Sequence, residues 1–551
     1  MDRRMVLATK LTFLFAALWS GAAFASPPHE VSNDSDVPLY ENLGSLHHPI
    51  TTGHPKAQQY FDQGLRLVYA FNHEEAINSF EQALLFDDQA AMAWWGIALA
   101  LGPNINALMG AAEERRAFEA VARAKRLSDG SSPSERAYIE ALAVRYASQP
   151  ETGREERDRA YALAMEKVWR QWPDDVDAGT LFAEALMVLQ PWDFWAPDGQ
   201  PKGRATEIVA VLERVLTLEP NHPGACHYYI HTVEASPYPE RALPCADRLP
   251  NLVPGAGHLV HMPGHIYLRL GRYREAAECN VHAAAVDHDL LEHRRLHGIY
   301  PVGYYPHNLH FLWSALTMEG RSQEAIDAAR RLMTLAPWDK ARQEPAMEEF
   351  TPTLLFALTR FGRWQDALDL PEPPSELLYT RATWHYSRGL SLVRLDRLEQ
   401  AALELEKLAE SVKTMPEDRT IGVESVAALA KIAQDVLAGE LAARRGQARE
   451  AVSLLRRAVA REDGLRYYEP PLWHYPVRHS LGAVLLAAHR SEEAEQVYRE
   501  DLVRHPENGW ALYGLAESLR AQGQRDAAAA VEQRFQKAWS RADVRLTASR
   551  F

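Results

Sequence analysis

Apolar residues recur at helical spacing along most of the chain, and no stretch keeps the apolar–polar alternation of a half-buried strand. The clearest unit spans residues 57–88 and reads AQQYFDQGLRLVYAFNHEEAINSFEQALLFDD. Within it, small and aromatic residues stand where a pair of packed helices needs them, at Gly64, Ala76, Phe80 and Ala83. The pattern predicts an all-α fold built from helix pairs.

A register of 34 residues runs through the middle of the chain, and 34 is the period of a helix–turn–helix repeat. A third unit keeps the register after an insertion, because Gly271 and Gly320 are 49 residues apart and 49 − 34 = 15. The equivalent histidines are His227 and His261, His231 and His265, His258 and His307, and His261 and His310. Because stacked repeats place equivalent positions side by side, we predict one right-handed helical solenoid of about a dozen helix pairs, without a sheet.

The histidines also share one side of each predicted helix. At roughly 100° per residue, His227, His231 and Glu234 fall within about 60° of arc, and the three histidines of the next repeat do the same. The strip brings together these candidate metal ligands: His227, His231, Glu234, His258, His261, His265, His307 and His310. The spacing therefore predicts several imidazoles and a carboxylate converging on one wall.

Composition narrows the function classes. The chain has 551 residues, of which 47% are hydrophobic and 24% charged, as is ordinary for a soluble globular protein. Its 60 Lys and Arg residues against 74 Asp and Glu residues give a net charge of −14. Because nucleic acids attract basic surfaces, this acidic balance predicts no nucleic-acid binding. Glycine-rich phosphate loops, HExxH and EF-hand patterns are absent from the sequence.

The first 25 residues resemble a secretory signal peptide. Arg3, Arg4 and Lys10 provide a basic start, an apolar run follows at 11–24, and a small-x-small cleavage pattern ends at Ala25. The run is short for a transmembrane helix and no second run of spanning length follows. We therefore predict an exported protein without membrane insertion after cleavage, periplasmic if the source is a Gram-negative bacterium. Its three cysteines are predicted to be buried and unpaired.

Composition and register divide the remainder of the chain into segments. They are an irregular leader (26–55), N-terminal repeats (56–222) with a Trp-rich insertion (190–203), His-rich repeats (223–340) with an insertion (287–305), and C-terminal repeats (341–551). The Trp-rich insertion is too apolar for a simple connector, so it either covers the groove or packs against the next repeat. The histidines of the leader and of the second insertion are predicted to be exposed: His47, His48, His288, His293 and His297.

Four motifs resemble those of the tetratricopeptide-repeat superfamily, and in particular exported bacterial members without a settled activity. They are YFDQGLRLVYAFNHEEAI, CHYYIHTVE, HMPGHIYLRLGRY and PPLWHYPVRHSLG. The resemblance covers nearly all of the mature chain and implies that the first helix of each pair lines a concave, ligand-binding groove. It places the candidate ligands on that groove, with Glu184 at the corresponding place of the preceding first helix. His479 is in register with His261, counting from Gly482 and Gly264, and both Glu184 and His479 are predicted to support the ligands from behind. Pro263 is expected to kink its helix.

Two functions fit such a groove. Imidazole is a common ligand of late first-row metals, so the cluster predicts one or two transition-metal ions, with copper, zinc and iron all open. The predicted centre is His227, His231, His261 and His265, with Glu234 as a ligand or general base. A metal with an open position would activate water for hydrolysis or bind dioxygen for oxidation, and affinity should fall below about pH 6.5. The alternative is a scaffold that binds a peptide or partner protein without metal.

Overall fold

A computed structural model of the chain describes residues 37–149, 153–294 and 296–551. The predicted signal peptide and residues 26–36 of the leader lie outside the described residues. Residues 37–54 contain turns and irregular backbone and lead into the first helix. The N-terminal helices are α1 (Pro55–Tyr69), α2 (His73–Phe86), α3 (Ala91–Ala100), α4 (Ala111–Leu127), α5 (Pro133–Ala143), α6 (Arg154–Gln171), α7 (Val176–Val188) and α8 (Ala205–Leu218).

The middle of the chain carries the histidine-rich repeats. Its helices are α9 (Pro223–Val233), α10 (Leu243–Leu252), α11 (Gly257–His261), α12 (Pro263–Arg269), α13 (Tyr273–His293), α14 (Tyr305–Met318) and α15 (Ser322–Leu335), with a π-helical turn at Tyr300–Tyr304. The predicted insertion at 287–305 is partly helical, because α13 continues to His293. His288, His293 and His297 are exposed, as predicted.

The C-terminal part continues the helix pairs. Its helices are α16 (Trp338–Gln343), α17 (Thr353–Arg360), α18 (Trp364–Asp369), α19 (Leu378–Arg394), α20 (Leu398–Thr414), α21 (Val426–Arg444), α22 (Ala448–Asp463), α23 (Val477–Ala487), α24 (Ser491–Arg504), α25 (Gly509–Ala521) and α26 (Arg525–Ala538). The prediction of no sheet is wrong in one detail, because β1 (Thr420–Ile421) pairs antiparallel with β2 (Glu424–Ser425). This two-residue hairpin connects α20 to α21. The fold is otherwise an all-α helical solenoid.

Many second helices of the pairs begin two residues after a backbone position in the left-handed region, as α2, α13 and α15 do. Glycine occupies that position in several repeats, for example Gly271 (φ 71°) before α13 and Gly320 (φ 71°) before α15. Glycine suits it because a Cβ atom is strained at positive φ. In the first repeat the same position holds Phe71, with φ 56°. A left-handed conformation costs a bulky residue roughly 1–2 kcal/mol. Other contacts of Phe71 must therefore offset this cost.

Helix pairs pack through the small and aromatic positions that the sequence marked. A Cβ atom added at Gly64 or at Gly96 would lie 2.5 or 2.6 Å from the ring of Phe80, which is fully buried. The phenyl ring of α2 therefore fills the space that two glycines leave on α1 and α3. The packing of this large side chain against two glycines fixes how closely one repeat stacks on the next.

Both ends of the solenoid contact its central repeats. On the N-terminal side, the guanidinium of Arg294 donates to Glu75 of α2 (3.2 Å). On the C-terminal side, Trp510 Nε1 donates to the Thr317 carbonyl (2.9 Å), and the indole of Trp539 lies against Gly320. The histidine-rich repeats are consequently enclosed between the two ends.

The structure also bears on the cysteine and membrane predictions. Cys226, Cys245 and Cys279 are buried and free, as expected. Across the described residues, none of the helices combines the length and the apolar character that a bilayer span requires.

The approach of α9 to α1 depends on Gly224, since a Cβ atom there would lie 2.5 Å from Tyr69 Cδ1. Alanine normally favours a helix over glycine by roughly 0.5–1 kcal/mol. We expect Gly224→Ala to reverse that sign and to lower the free energy of unfolding by about 1–3 kcal/mol, because the buried tyrosine ring must move. Denaturant unfolding measures the change. Gly130→Ala is the matched control, since nothing lies within 4 Å of its added Cβ atom. A stabilised Gly224→Ala protein would show that the two helices do not meet in this way.

Candidate metal centre

Helix α9 is held at its start by a buried histidine. His222 Nδ1 accepts the backbone N–H of Ala225 (3.0 Å), while His222 Nε2 faces Asp177 Oδ1 at 3.0 Å. Pro223 at the first helical position adds a fixed φ. From this anchored start, α9 presents His227 and His231 one turn apart, and Glu234 follows its last turn.

The next repeat breaks its first helix in the predicted place. α11 ends at His261 and α12 starts at Pro263, while Met262 between them keeps helical angles (φ −49°, ψ −37°). His258 and His261 lie on α11 and His265 lies on α12. The proline therefore interrupts the hydrogen-bond ladder without turning the three histidines away from one another.

Three histidines form the group that we call site A: His227, His231 and His258. One nitrogen of each lies within 4.8 Å of the other two. His227 Nδ1 donates to the Tyr69 carbonyl (2.6 Å), so the Nε2 atom of the neutral ring carries the lone pair. His258 Nε2 lies 3.1 Å from that Nε2 atom, and His231 Nε2 is buried without a hydrogen-bond partner.

Three further histidines form site B: His261, His265 and His307. Their ligand atoms also lie within 4.8 Å of one another. His261 Nδ1 donates to Asn280 Oδ1 (2.7 Å), while the Asn280 amide group donates to the Ala276 carbonyl (2.8 Å). His261 Nε2 therefore carries the lone pair, and it faces His265 Nε2 at 3.0 Å.

Glu234 lies between the two sites. Its Oε1 atom is 2.9 Å from His231 Nδ1, and its Oε2 atom is 2.5 Å from His265 Nδ1. Tyr467 Oη donates to the same Oε2 atom at 3.3 Å, and Glu469 Oε2 lies 3.2 Å from His265 Nδ1. The carboxylate thus faces the Nδ1 side of one ring from each site, which leaves the Nε2 atoms of both rings directed elsewhere.

His307 and His310 extend the cluster along α14. Together with Glu349 they form a further group whose ligand atoms lie within 4.8 Å of one another. His310 Nδ1 is 3.9 Å from Glu349 Oε1, and Tyr468 Oη donates to Glu349 Oε2 (2.8 Å). All eight predicted ligands are therefore close together, and the adjacent carboxyl groups Glu349 and Glu469 join them.

The centre is buried, so the expectation of ligands on an open groove is wrong. His227 and His261 have no exposed surface, and Glu234 is 1% exposed. Aromatic rings close the walls. The ring of Phe71 lies 4.5 Å from that of His227, Tyr304 lies 4.5 Å from His258, Phe311 lies 4.5 Å from His261, and Trp192 lies 5.0 Å from His231.

The Trp-rich insertion and the loop at 464–476 contribute side chains that bury the centre. In the Trp-rich insertion, Trp195 Nε1 donates to the Thr232 carbonyl (2.7 Å), and Trp192 contacts His231 edge-on. The insertion therefore both packs on α9 and covers site A. The loop at 464–476 reaches the centre through Tyr467, Tyr468 and Glu469.

Electrostatics separates His265 from the other rings. Burial, followed by the neighbouring imidazoles, lowers the pKa of four rings well below the ordinary histidine value: His227, His258, His261 and His307. Burial also lowers the pKa of His265, but Glu234 and Glu469 outweigh it and raise that pKa to about 9. Near neutral pH, His265 carries two protons and donates Nε2–H to His261. In site A, the one proton between the two facing Nε2 atoms belongs to His258.

Two of the predicted supporting residues lie elsewhere. The Glu184 carboxylate is 4.0 Å from the Arg145 guanidinium, and His479 bridges Arg360 (2.8 Å) and Asp501 (3.0 Å). Equivalent repeat positions did not bring them to the centre, because other buried charged groups pair with them.

Sequence reasoning missed Phe71, Tyr304, Asn280 and Glu469. A signal existed for Phe71, since a phenylalanine replaces glycine at a position that other repeats keep in the left-handed region. The ring of Phe71 contacts those of His227 and His258. A signal also existed for Glu469, because its loop interrupts the repeat pattern. Neither signal states which side chains the residue will meet.

The comparisons with known proteins come from structure alone, since no protein-family model matches and no curated protein matches. Among solved structures, a human IFIT1 dimer with m7Gppp-AAAA shares 11% identity over 89% of this chain and 91% of that chain, with a TM-score of 0.32. The Cut9–Hcn1 hetero-tetramer of APC/C shares 12% over 88% and 76%, with a TM-score of 0.31. The P58(IPK) TPR domain shares 12% over 85% and 98%, with a TM-score of 0.22.

The helix pairs of this chain form an all-α helical solenoid, and the sequence motifs quoted above resemble those of the tetratricopeptide-repeat superfamily.

A network behind site A holds the Tyr69 carbonyl in place. Tyr69 Oη donates to Asp177 Oδ1 (2.6 Å), and His48 Nδ1 lies 2.8 Å from Asp177 Oδ2. His48 is therefore not the exposed leader residue that we predicted, since its side chain is only 14% exposed. Burial lowers the pKa of His48, but Asp177 more than compensates and raises it to about 8.

Because the pKa of His48 is higher in the folded protein than its ordinary 6.5, its protonation stabilises the fold below pH 6.5. This stabilisation is lost as the pH rises through 8. The shift corresponds to about 2 kcal/mol. Between pH 6 and 9, we expect the free energy of unfolding of His48→Gln to fall by about 2 kcal/mol less than that of the wild type. Denaturant unfolding with a chelator present measures the difference. The exposed His288→Gln variant should keep the wild-type slope. Equal slopes in all three proteins would contradict the His48–Asp177 pairing.

Proposed function

We propose that this chain is an exported metalloprotein that binds two transition-metal ions, one at site A and one at site B. The observation that carries the proposal is the pair of facing Nε2 atoms in each site, 3.1 Å apart in site A and 3.0 Å apart in site B. Two nitrogens bound to one tetrahedral ion at about 2.0–2.1 Å lie about 3.3 Å apart. The metal would take the place of the single proton that now lies between each pair.

The outer nitrogens support the same proposal. Imidazoles that bind metals donate their other N–H group to a carbonyl or carboxylate, which fixes the ring and the tautomer. Here the Tyr69 carbonyl, Asn280 and Glu234 face the Nδ1 atoms of His227, His261 and His231. We therefore assign Glu234 an orienting role between two sites, in place of the ligand or general-base role that the sequence suggested.

The alternative is a tetratricopeptide scaffold whose polar interior binds no metal. One of the similar structures is IFIT1 with a capped RNA and another is a protein hetero-tetramer. For this chain, the net charge of −14 disfavours RNA, and the burial of the histidines disfavours a peptide contact at that wall. A scaffold would keep its partner and its thermal stability in chelator.

Metal content tests the proposal directly. We expect two equivalents of metal per chain in the purified mature protein, measured by mass spectrometry, and a lower melting temperature after chelation, because the metal binds only the folded state. His231→Ala with His265→Ala should remove the metal while the helical circular dichroism persists. The exposed His288→Ala variant is the control. Wild-type metal content in the double variant, or identical melting curves with and without chelator, would contradict the proposal.

Single substitutions test whether the two sites are separate. His227→Ala removes a ligand of site A and His261→Ala removes a ligand of site B, and neither residue belongs to the other group. We expect each variant to retain one equivalent of metal, because the three histidines of the other site are unchanged. If either substitution empties the whole centre, the eight residues form one site.

A further inference from the structure

We infer that metal ions enter and leave site A through a gate formed by Trp192, Asn106 and Tyr304, and that Trp192 is the residue that moves to open it. A buried metal site needs an entry path. This path rests on the proposed two-metal function and adds how an enclosed site exchanges its ion with solvent.

The gate joins three segments that lie far apart in the chain. Trp192 of the Trp-rich insertion contacts the His231 ring edge-on, with 5.0 Å between the ring centroids. Tyr304 of the π-helical turn lies 4.5 Å from the His258 ring. Asn106, in the loop between α3 and α4, accepts Trp192 Nε1–H on its Oδ1 atom (3.1 Å) and donates from Nδ2 to Tyr304 Oη (3.2 Å). Side-chain hydrogen bonds therefore hold this part of the wall together.

Trp192 is the exposed part of that wall. The residue is 37% exposed, whereas the site A ligand that it contacts, His231, is 2% exposed. The other described aromatic rings in contact with site A are buried: Phe71, Tyr228 and Tyr304. Because Trp192 meets both solvent and a buried ligand, the wall is one residue thick at this point.

The Trp-rich insertion is fixed on both sides of Trp192. Before it, Gln190 Oε1 accepts the backbone N–H that follows the insertion (2.8 Å). After it, Phe194 is buried, and Trp195 Nε1 donates to a carbonyl of α9 (2.7 Å). Residues 191–193 between these anchors are exposed. The tip can therefore move while the remainder of the insertion stays in place.

Backbone strain at Trp192 favours opening. Its φ is 61°, in the left-handed region that a bulky residue adopts only at an energetic cost. Such strain persists where surrounding contacts hold it, and it is typical of ligand clamps and switches. Here the contacts are the exposed hydrogen bond to Asn106 and the ring contact with His231. Water replaces an exposed hydrogen bond at little net cost, so release of the strain helps to offset its loss.

Site B has a different relation to solvent. Its ligand His307 is partly exposed, whereas all three ligands of site A are buried. The described aromatic contacts of Trp192 include His231 of site A and no ring of site B. A substitution of Trp192 should therefore change exchange at site A and leave exchange at site B unchanged.

Release of zinc from the full mature protein to an excess of chromogenic chelator tests the gate. His261→Ala leaves site A intact, and His227→Ala leaves site B intact. We expect Trp192→Ala to release zinc from site A about tenfold faster and to leave release from site B unchanged, with the same helical circular dichroism. Trp192→Phe keeps a ring and loses the donor, so its rate should be intermediate. The equilibrium affinity of site A should stay the same, because Trp192 is not a ligand and uptake accelerates as well.

A second measurement needs no metal. Diethyl pyrocarbonate modifies neutral imidazoles, and His231 Nε2 is buried without a hydrogen-bond partner. In the metal-free protein, Trp192→Ala should speed the modification of His231, mapped by mass spectrometry. The modification of the partly exposed His307 is the internal control and should proceed at the wild-type rate.

The outcomes separate the gate from the two-metal function. Wild-type rates of zinc release and of His231 modification in Trp192→Ala would overturn the gate and leave the two-metal function standing. Faster release together with a weaker equilibrium affinity would also overturn it, because Trp192 would then stabilise the bound metal. If the single-site variants bind neither zinc, copper nor iron, the two-metal function fails, and the modification rate of His231 alone decides whether Trp192 controls access.

Discussion

The structure depends on the burial of six imidazoles and a carboxylate in a space where water does not satisfy them. An unpaired polar group in such an interior costs about 1–3 kcal/mol, so each ring needs a fixed partner on at least one nitrogen. The Tyr69 carbonyl, Asn280 and Glu234 are those partners for the Nδ1 atoms of His227, His261 and His231. Each partner is itself held, as Tyr69 is by Asp177. The positions of α1, α7, α9 and α13 around the centre follow from these bonds.

The repeats place the histidines at equivalent positions, and the segments that depart from the repeat pattern enclose them. Phe71 takes a glycine position and lays its ring on the histidines, although the backbone there is strained. The insertion after α7 brings Trp192 over His231, and the loop before α23 brings Glu469 to His265. An unmodified stack of repeats would leave the same histidines on an open concave wall. The irregular segments bury the wall on which the histidines lie.

Closure of the solenoid has a chemical consequence. Contacts of α2 and α25 with the central repeats, through Glu75 and Trp510, hold the two ends of the chain against the middle. A closed, aromatic-walled centre has a low effective dielectric constant, in which neutral nitrogen donors and balanced charges are favoured over exposed ionic ones. Such an interior suits metal ions with neutral ligands and excludes the large substrates that an open groove would admit.

The sequence by itself determined the all-α solenoid and the set of residues at its centre. Helical spacing and the 34-residue register are local properties, and stacking of equal units places His231 beside His265 without further information. The register did not predict the partners of Glu184 and His479, because polar side chains pair with the charged groups that the fold brings near. Glu184 pairs with Arg145, and His479 pairs with Arg360 and Asp501. Only the tertiary structure decided what covers the histidines and which nitrogen each one presents. Those features depend on contacts between residues far apart in the chain, such as Glu469 with His265 and Tyr69 with His227, and periodicity carries no record of them.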